Sequence, residues 1–213
     1  MLPLRFENLR TILCLGAHAD DIEIGCGGTL LKLLDAHPAL KVVWVVLSSS
    51  GPRAAEAQAS AEHVLHIAAE KQIIVKSFRD SFFPYEPVPI KEYFHALSRE
   101  VSPDLIFTHR REDLHQDHRF VADLTWNAFR DHLIWEYEIP KYDGDLGHPN
   151  TFVTLDESLA RRKIDALQKY FPSQLAKPWF TPDTFHGLLR LRGLECNSPG
   201  KLAEAFTCRK ATW

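Results

Sequence analysis

The chain has 213 residues, 45% hydrophobic and 25% charged, which excludes a disordered or fibrous protein and fits one domain with a buried core. Lysine and arginine total 25 against 28 acidic residues, a net charge of −3. That balance lacks the basic excess of a nucleic-acid binder, so no nucleic-acid partner is expected. Four cysteines without CxxC spacing read as ordinary thiols of a reducing compartment.

The first apolar segment, Thr11–Gly16, runs straight into a histidine and two acids, and therefore reads as a buried strand and not as a signal peptide. The longest apolar run, Val42 to Leu47, falls far short of the ~18 residues of a membrane span. A cytoplasmic protein with no integral membrane segment is expected. Gly28–Ala36 follows as a helix, Lys41–Ser48 as a strand apolar on both faces, and Pro52–Glu70 as a helix. Gln72–Phe78 is a strand, Pro89–Val101 a helix stopped by Ser102-Pro103, Asp104–Thr108 a strand, and His115 to Asp131 a helix. Leu133–Ile139 and Thr151–Leu155 read as two further strands, and Asp156 caps a helix through Tyr170. This βαβα rhythm predicts a single α/β domain, a Rossmann-like three-layer sandwich with a mostly parallel sheet. The proline- and glycine-rich region after residue 140 reads as a cap that shapes the substrate site.

Polar residues crowd two strand ends, where ligands gather in open α/β sheets. The first cluster is Ala17-His18-Ala19-Asp20-Asp21 before Gly25-Cys26-Gly27-Gly28; the second runs from His109 to His118. So many adjacent titratable groups repel one another unless an ion or substrate compensates them. His18 and Asp21, three apart on a turn, and His118 from the second cluster give two imidazoles and a carboxylate. That is the donor count of a catalytic zinc site with one position open. Asp20 stands where it can take a proton from water, and His115, one turn before His118, can face the leaving group. Gly25, Gly27 and Gly28 suit close helix packing. A dinucleotide fingerprint is excluded, because the glycines do not directly follow the strand and the next strand ends in serines. His109 and Asp113 carry no assigned role. Trp44, Trp126, Trp135 and Trp179 read as core, and Trp213 as a possible sugar-pocket residue.

AHADD followed by GCGG, with HQDH after a later strand, resembles the PIG-L/LmbE family of zinc-dependent de-N-acetylases. Arg53, Glu56, Pro149-Asn150, Ser173-Gln174 and the AEAF of Ala203–Phe206 extend the likeness over nearly the whole chain. The resemblance implies removal of an acetyl group from an N-acetylglucosamine-type conjugate, a small-molecule partner, and Zn2+ as cofactor, with Fe2+ as another divalent candidate. It implies His18, Asp21 and His118 as metal ligands and Asp20 as general base. It further implies His115 as a protonated histidine at the oxyanion or departing amine, Asp117 orienting it, and Arg53 on sugar hydroxyls. Ala19 and Gln116 replace the family's usual prolines, and Ile22 stands where an acid often follows. The alternatives are an amidase for another small amide, such as a thiol-glycoside conjugate, and a catalytically silent sugar-binding protein of the same fold.

Overall fold

The structure, a computed structural model, describes residues 5–212, so Trp213 lies outside the described residues. The elements in order are β1 (Thr11–Gly16), α1 (Asp21–Ala36), β2 (Lys41–Val46), α2 (Pro52–Val64), β3 (Glu70–Val75), α3 (Pro87–Glu100) and β4 (Leu105–His109). Then come α4 (Gln116–Ala128), β5 (Leu133–Tyr137), β6 (Thr151–Leu155), α5 (Glu157–Tyr170), α6 (Pro182–Glu195) and β7 (Leu202–Cys208). The seven strands form one sheet in the order β3-β2-β1-β4-β5-β7-β6. The first five are parallel; β7 runs antiparallel to both β5 and β6. A mixed α/β sheet with helices on both faces is thus present, as the sequence pattern predicts.

Strand alternation assigns the two cores. Ile12, Cys14, Val42, Trp44 and Val46 face one side with residues of α1, α2, α5 and α6. Leu13, Leu15, Val43 and Val45 face the other, against Ile90, Phe94 and Leu97 of α3 and Val121 and Leu124 of α4. The spacing of Ile90, Phe94 and Leu97 is the one-faced pattern of a surface helix. Each such side chain, once buried, contributes roughly 1.5–3 kcal/mol.

α1 begins at Asp21, seven positions before the expected Gly28, because its glycines pack instead of breaking it. A Cβ on Gly25 would run into the Tyr137 ring, and one on Gly28 would stand 2.6 Å from Leu155 Cδ1. The region expected as a cap divides in two. β6 and β7 complete the sheet, whereas residues 139–141 and 174–179 border the site described next. Among the described residues, no helix is long and apolar enough to cross a membrane.

Candidate active site

The strand order reverses direction between β1 and β4, and ligands in such sheets bind at the carboxyl ends beside that switch. Both polar clusters lie there. β1 delivers His18, Asp20 and Asp21 on the turn into α1. β4 ends in His109, and α4 opens with His115 as N-cap. His118 lies one turn before Val121 on the buried face of α4, so helix amphipathicity aims it inward.

His18, Asp21 and His118 come together. His18 Nδ1 lies 3.2 Å from His118 Nε2, and the Asp21 carboxylate lies 3.5 Å from each ring. Donors about 2.0–2.2 Å from a tetrahedral ion stand roughly 3.4 Å apart. The contacts to Asp21 use its two different oxygens. The cluster also groups His18 with His115 and His118, and Asp21 with His109 and His118, each set with ligand atoms within 4.8 Å of one another, so it has the donors for a divalent cation. Tautomers agree with that fit. His118 Nδ1 bonds Asp113 Oδ2 at 3.1 Å, which leaves the Nε2 lone pair facing the cluster. His18 Nε2 faces Asp80 at 3.1 Å and Asp117 at 3.4 Å, which leaves Nδ1 inward. His109 Nε2 also approaches Asp21, at 3.1 Å, and stands 3.0 Å from the Ala17 backbone nitrogen.

Charge in the cluster is strongly redistributed. Burial disfavours a charged His18, but Asp117, Asp21 and Asp80 outweigh it and raise its pKa well above the ordinary value. Burial and the neighbouring His109 push His118 down to about 4. Burial would raise Asp21, yet His118 and His109 hold it well below the carboxylate range. Asp20 is raised by burial, with Arg53 opposing.

Three of the predicted site residues make specific contacts of their own. Arg53 lines the cavity over the site, and its Nη2 donates to Asp20 Oδ1 at 2.9 Å. Asp117 does not turn its carboxylate to His115. That carboxylate accepts the Ser81 and Phe83 N–H groups at 2.7 and 3.1 Å, and the backbone N–H of Asp117 donates to His115 Nδ1 at 3.2 Å. This fixes the His115 proton on Nε2. Burial and then the charge on His18 lower the His115 pKa, with Asp21, Asp117 and Asp113 opposing. Its ring centroid lies 4.9 Å from His18 and 4.4 Å from His118.

Sequence reasoning missed Asp113 and Lys141. Asp113 also accepts the His115 N–H at 2.8 Å, and Lys141 Nζ bonds it at 2.9 Å. Spacing alone had no signal for a residue that works by holding another's tautomer. A cavity of about 420 Å³ covers the cluster and reaches Gln174, Lys177 and Trp179. Trp179, expected in the core, is only half-buried and lines this cavity, because the turn after Pro178 brings it to the site.

Comparison with known proteins points the same way. Residues 13–129 match the family PIG-L, described as GlcNAc-PI de-N-acetylase. The chain is 27% identical over 169 residues to the uncharacterized deacetylase YaiS of Escherichia coli K12, covering 75% of this chain and 89% of that protein. Its fold is similar to the conserved protein TT1542 from Thermus thermophilus, with TM-score 0.75, 20% identity and 97% of both chains covered. It is also similar to the N,N'-diacetylchitobiose deacetylase from Pyrococcus horikoshii, with TM-score 0.71, 21% identity, and 95% of this chain and 85% of that one covered.

Proposed function

The chain belongs to the PIG-L (GlcNAc-PI de-N-acetylase) family, a deacetylase family, and from that premise we propose that it is a metal-dependent hydrolase of N-acetylglucosamine-type conjugates. The products are acetate and a free amine, and the enzyme works in the cytoplasm on a small molecule. The observation that carries this reading is the triangle of His18, Asp21 and His118 donors, 3.2 and 3.5 Å apart, beside a buried carboxylate and a third imidazole.

His18, Asp21 and His118 would hold a divalent ion, zinc or iron(II). When bound, it supplies Lewis-acid polarisation of the amide carbonyl and acidifies a water molecule. Asp20 would take a proton from the attacking water as the new C–O bond forms; burial raises its pKa, and Arg53 fixes its orientation. His115 donates its Nε2–H to the negative charge growing on the former carbonyl oxygen. When the C–N bond breaks, Asp20 gives its proton to the departing nitrogen. Water and amide become acetic acid and amine, and the acid ionises to acetate.

The test is metal content followed by acetate release from N-acetylglucosamine derivatives, for wild type and Asp20→Asn. The variant is expected to keep its metal and lose about 10²–10⁴ in kcat. A wild type that binds metal and sugar but releases no acetate would be a binding protein of this fold. Equal turnover in the variant would remove Asp20 from the role of base.

A further inference from the structure

A second cavity, of about 300 Å³, opens between α1, α2 and α5 and shares no residue with the one over the histidine cluster. Leu31 of α1 and Val64 of α2 give it an apolar lining. Glu23 borders it and is 1% exposed, yet neither carboxyl oxygen has a hydrogen-bond partner among the described residues. Native proteins rarely leave buried polar atoms so. Ser60 Oγ of α2 is buried and unpartnered as well, but one hydroxyl can donate to only one of the two oxygens.

The space beside Glu23 is kept open by Gly27. At Gly25 and Gly28 the absent side chain makes room for Tyr137 and Leu155. At Gly27 a Cβ would meet only Lys163 Cγ at 3.6 Å and Glu23 Cβ at 3.9 Å, ordinary contacts, so no neighbour occupies the gap. Cations ring the mouth: Arg162 and Lys169 on α5, with His63 and His66 at the end of α2. Arg162 is paired with Asp35 at 2.9 Å. Among the described residues, neither Lys169 nor the exposed Asp165 on the same rim has an ion-pair partner. Burial and then His66, Lys169 and Arg162 lower the pKa of His63, as expected for a ring among cations.

We propose that this cavity is a ligand site separate from the histidine cluster, for a small organic anion with an apolar body and a hydroxyl group. Lys169 and its neighbours hold the anionic end, Leu31 and Val64 cover the body, and the hydroxyl donates to Glu23. A hydroxyl suits that position better than an ammonium, which Arg162 and Lys169 would repel. The proposal is independent of the reaction at the other cavity.

Four matched probes test it: 3-hydroxybutyrate, butyrate, 1,3-butanediol and the monophosphate of that diol. Dissociation constants are measured by ligand-detected NMR titration for wild type, Lys169→Glu and Glu23→Leu. Wild type is expected to bind 3-hydroxybutyrate or the monophosphate about fivefold more tightly than butyrate or the diol; which of the two gains names the anion. Lys169→Glu, an exposed change, should weaken the hydroxylated anions about fivefold and leave the diol unaffected. Glu23→Leu should bring 3-hydroxybutyrate down to the level of butyrate. It should also unfold in urea no earlier than wild type, because no group of the protein bonds the carboxyl it removes. Equal binding of all four probes overturns the proposal, as does binding that persists unchanged in both variants. A lowered urea midpoint in Glu23→Leu would give Glu23 a structural partner and overturn it too.

Discussion

Asp113 shows how much of a site depends on residues that never meet the substrate. Its carboxylate, 2% exposed, accepts from His118 Nδ1, the His115 backbone and Lys141, and these contacts hold its pKa well below the ordinary range against the effect of burial. Replacing it with alanine frees the His118 ring to rotate and to exchange tautomers. Asp113→Ala is therefore expected to weaken metal binding about 10–100-fold, measured by competition with a chromogenic chelator. The proximity of His18, Asp21 and His118 is legible from spacing, since strand ends in a parallel sheet converge. The Arg53–Asp20 contact and the turned Asp117 carboxylate are not, because a side chain's choice among several neighbours depends on distances of an ångström or less.

Among the elements, α1 links the site to the core through a buried ionic knot. Glu204 of β7 accepts the Gly28 and Thr29 N–H groups at 2.8 and 2.6 Å, and Lys163 of α5 bonds Glu204 at 2.6 Å and the Ile24 carbonyl at 2.7 Å. Both charged side chains are buried, so removing one strands the other. Lys163→Met is expected to cost about 3–5 kcal/mol in urea denaturation, and the double variant Lys163→Met/Glu204→Leu should recover part of that loss. Gly25 and Gly28 explain why the start of α1 is hard to read in the sequence. Glycine is a poor helix former by about 1 kcal/mol per residue, and only the Tyr137 and Leu155 contacts reveal why it is there. α6 and β7 are hidden for a related reason. Pro182 opens α6 where a missing N–H costs nothing, and β7 places Glu204 on its inward side, which weakens the apolar signature of a strand. In the parallel half, β1, β2 and β4 are legible because these central strands are apolar on both faces.

For the molecule as a whole, the antiparallel extension of the sheet is fastened by Arg209. Its guanidinium bonds both oxygens of Glu136, at 2.6 and 2.9 Å, and both of Glu112, at 2.6 and 2.7 Å. Glu136 is fully buried, so Arg209→Met leaves a carboxylate without its cation and should cost about 3–5 kcal/mol at pH 7. The bond from Arg209 lowers the Glu112 pKa. Its contribution is therefore present above the ordinary glutamate value of about 4.3 and is lost as pH falls through the lowered folded value. Glu112 is largely exposed, so that share is small. The gap between wild type and Arg209→Met should narrow below pH 4, as followed by urea unfolding at pH 7 and pH 3.5.

The place of β7 between β5 and β6 also sets a timetable for the growing polypeptide. On the ribosome, β5 and β6 emerge well before the strand that joins them, and neither pairs with the other. Until Leu202–Cys208 arrives, the half-built sheet presents a raw edge, β6 waits alone, and the Gly28 and Thr29 amides lack their carboxylate. Nascent chains in that interval are the ones most exposed to mispairing and most in need of a chaperone.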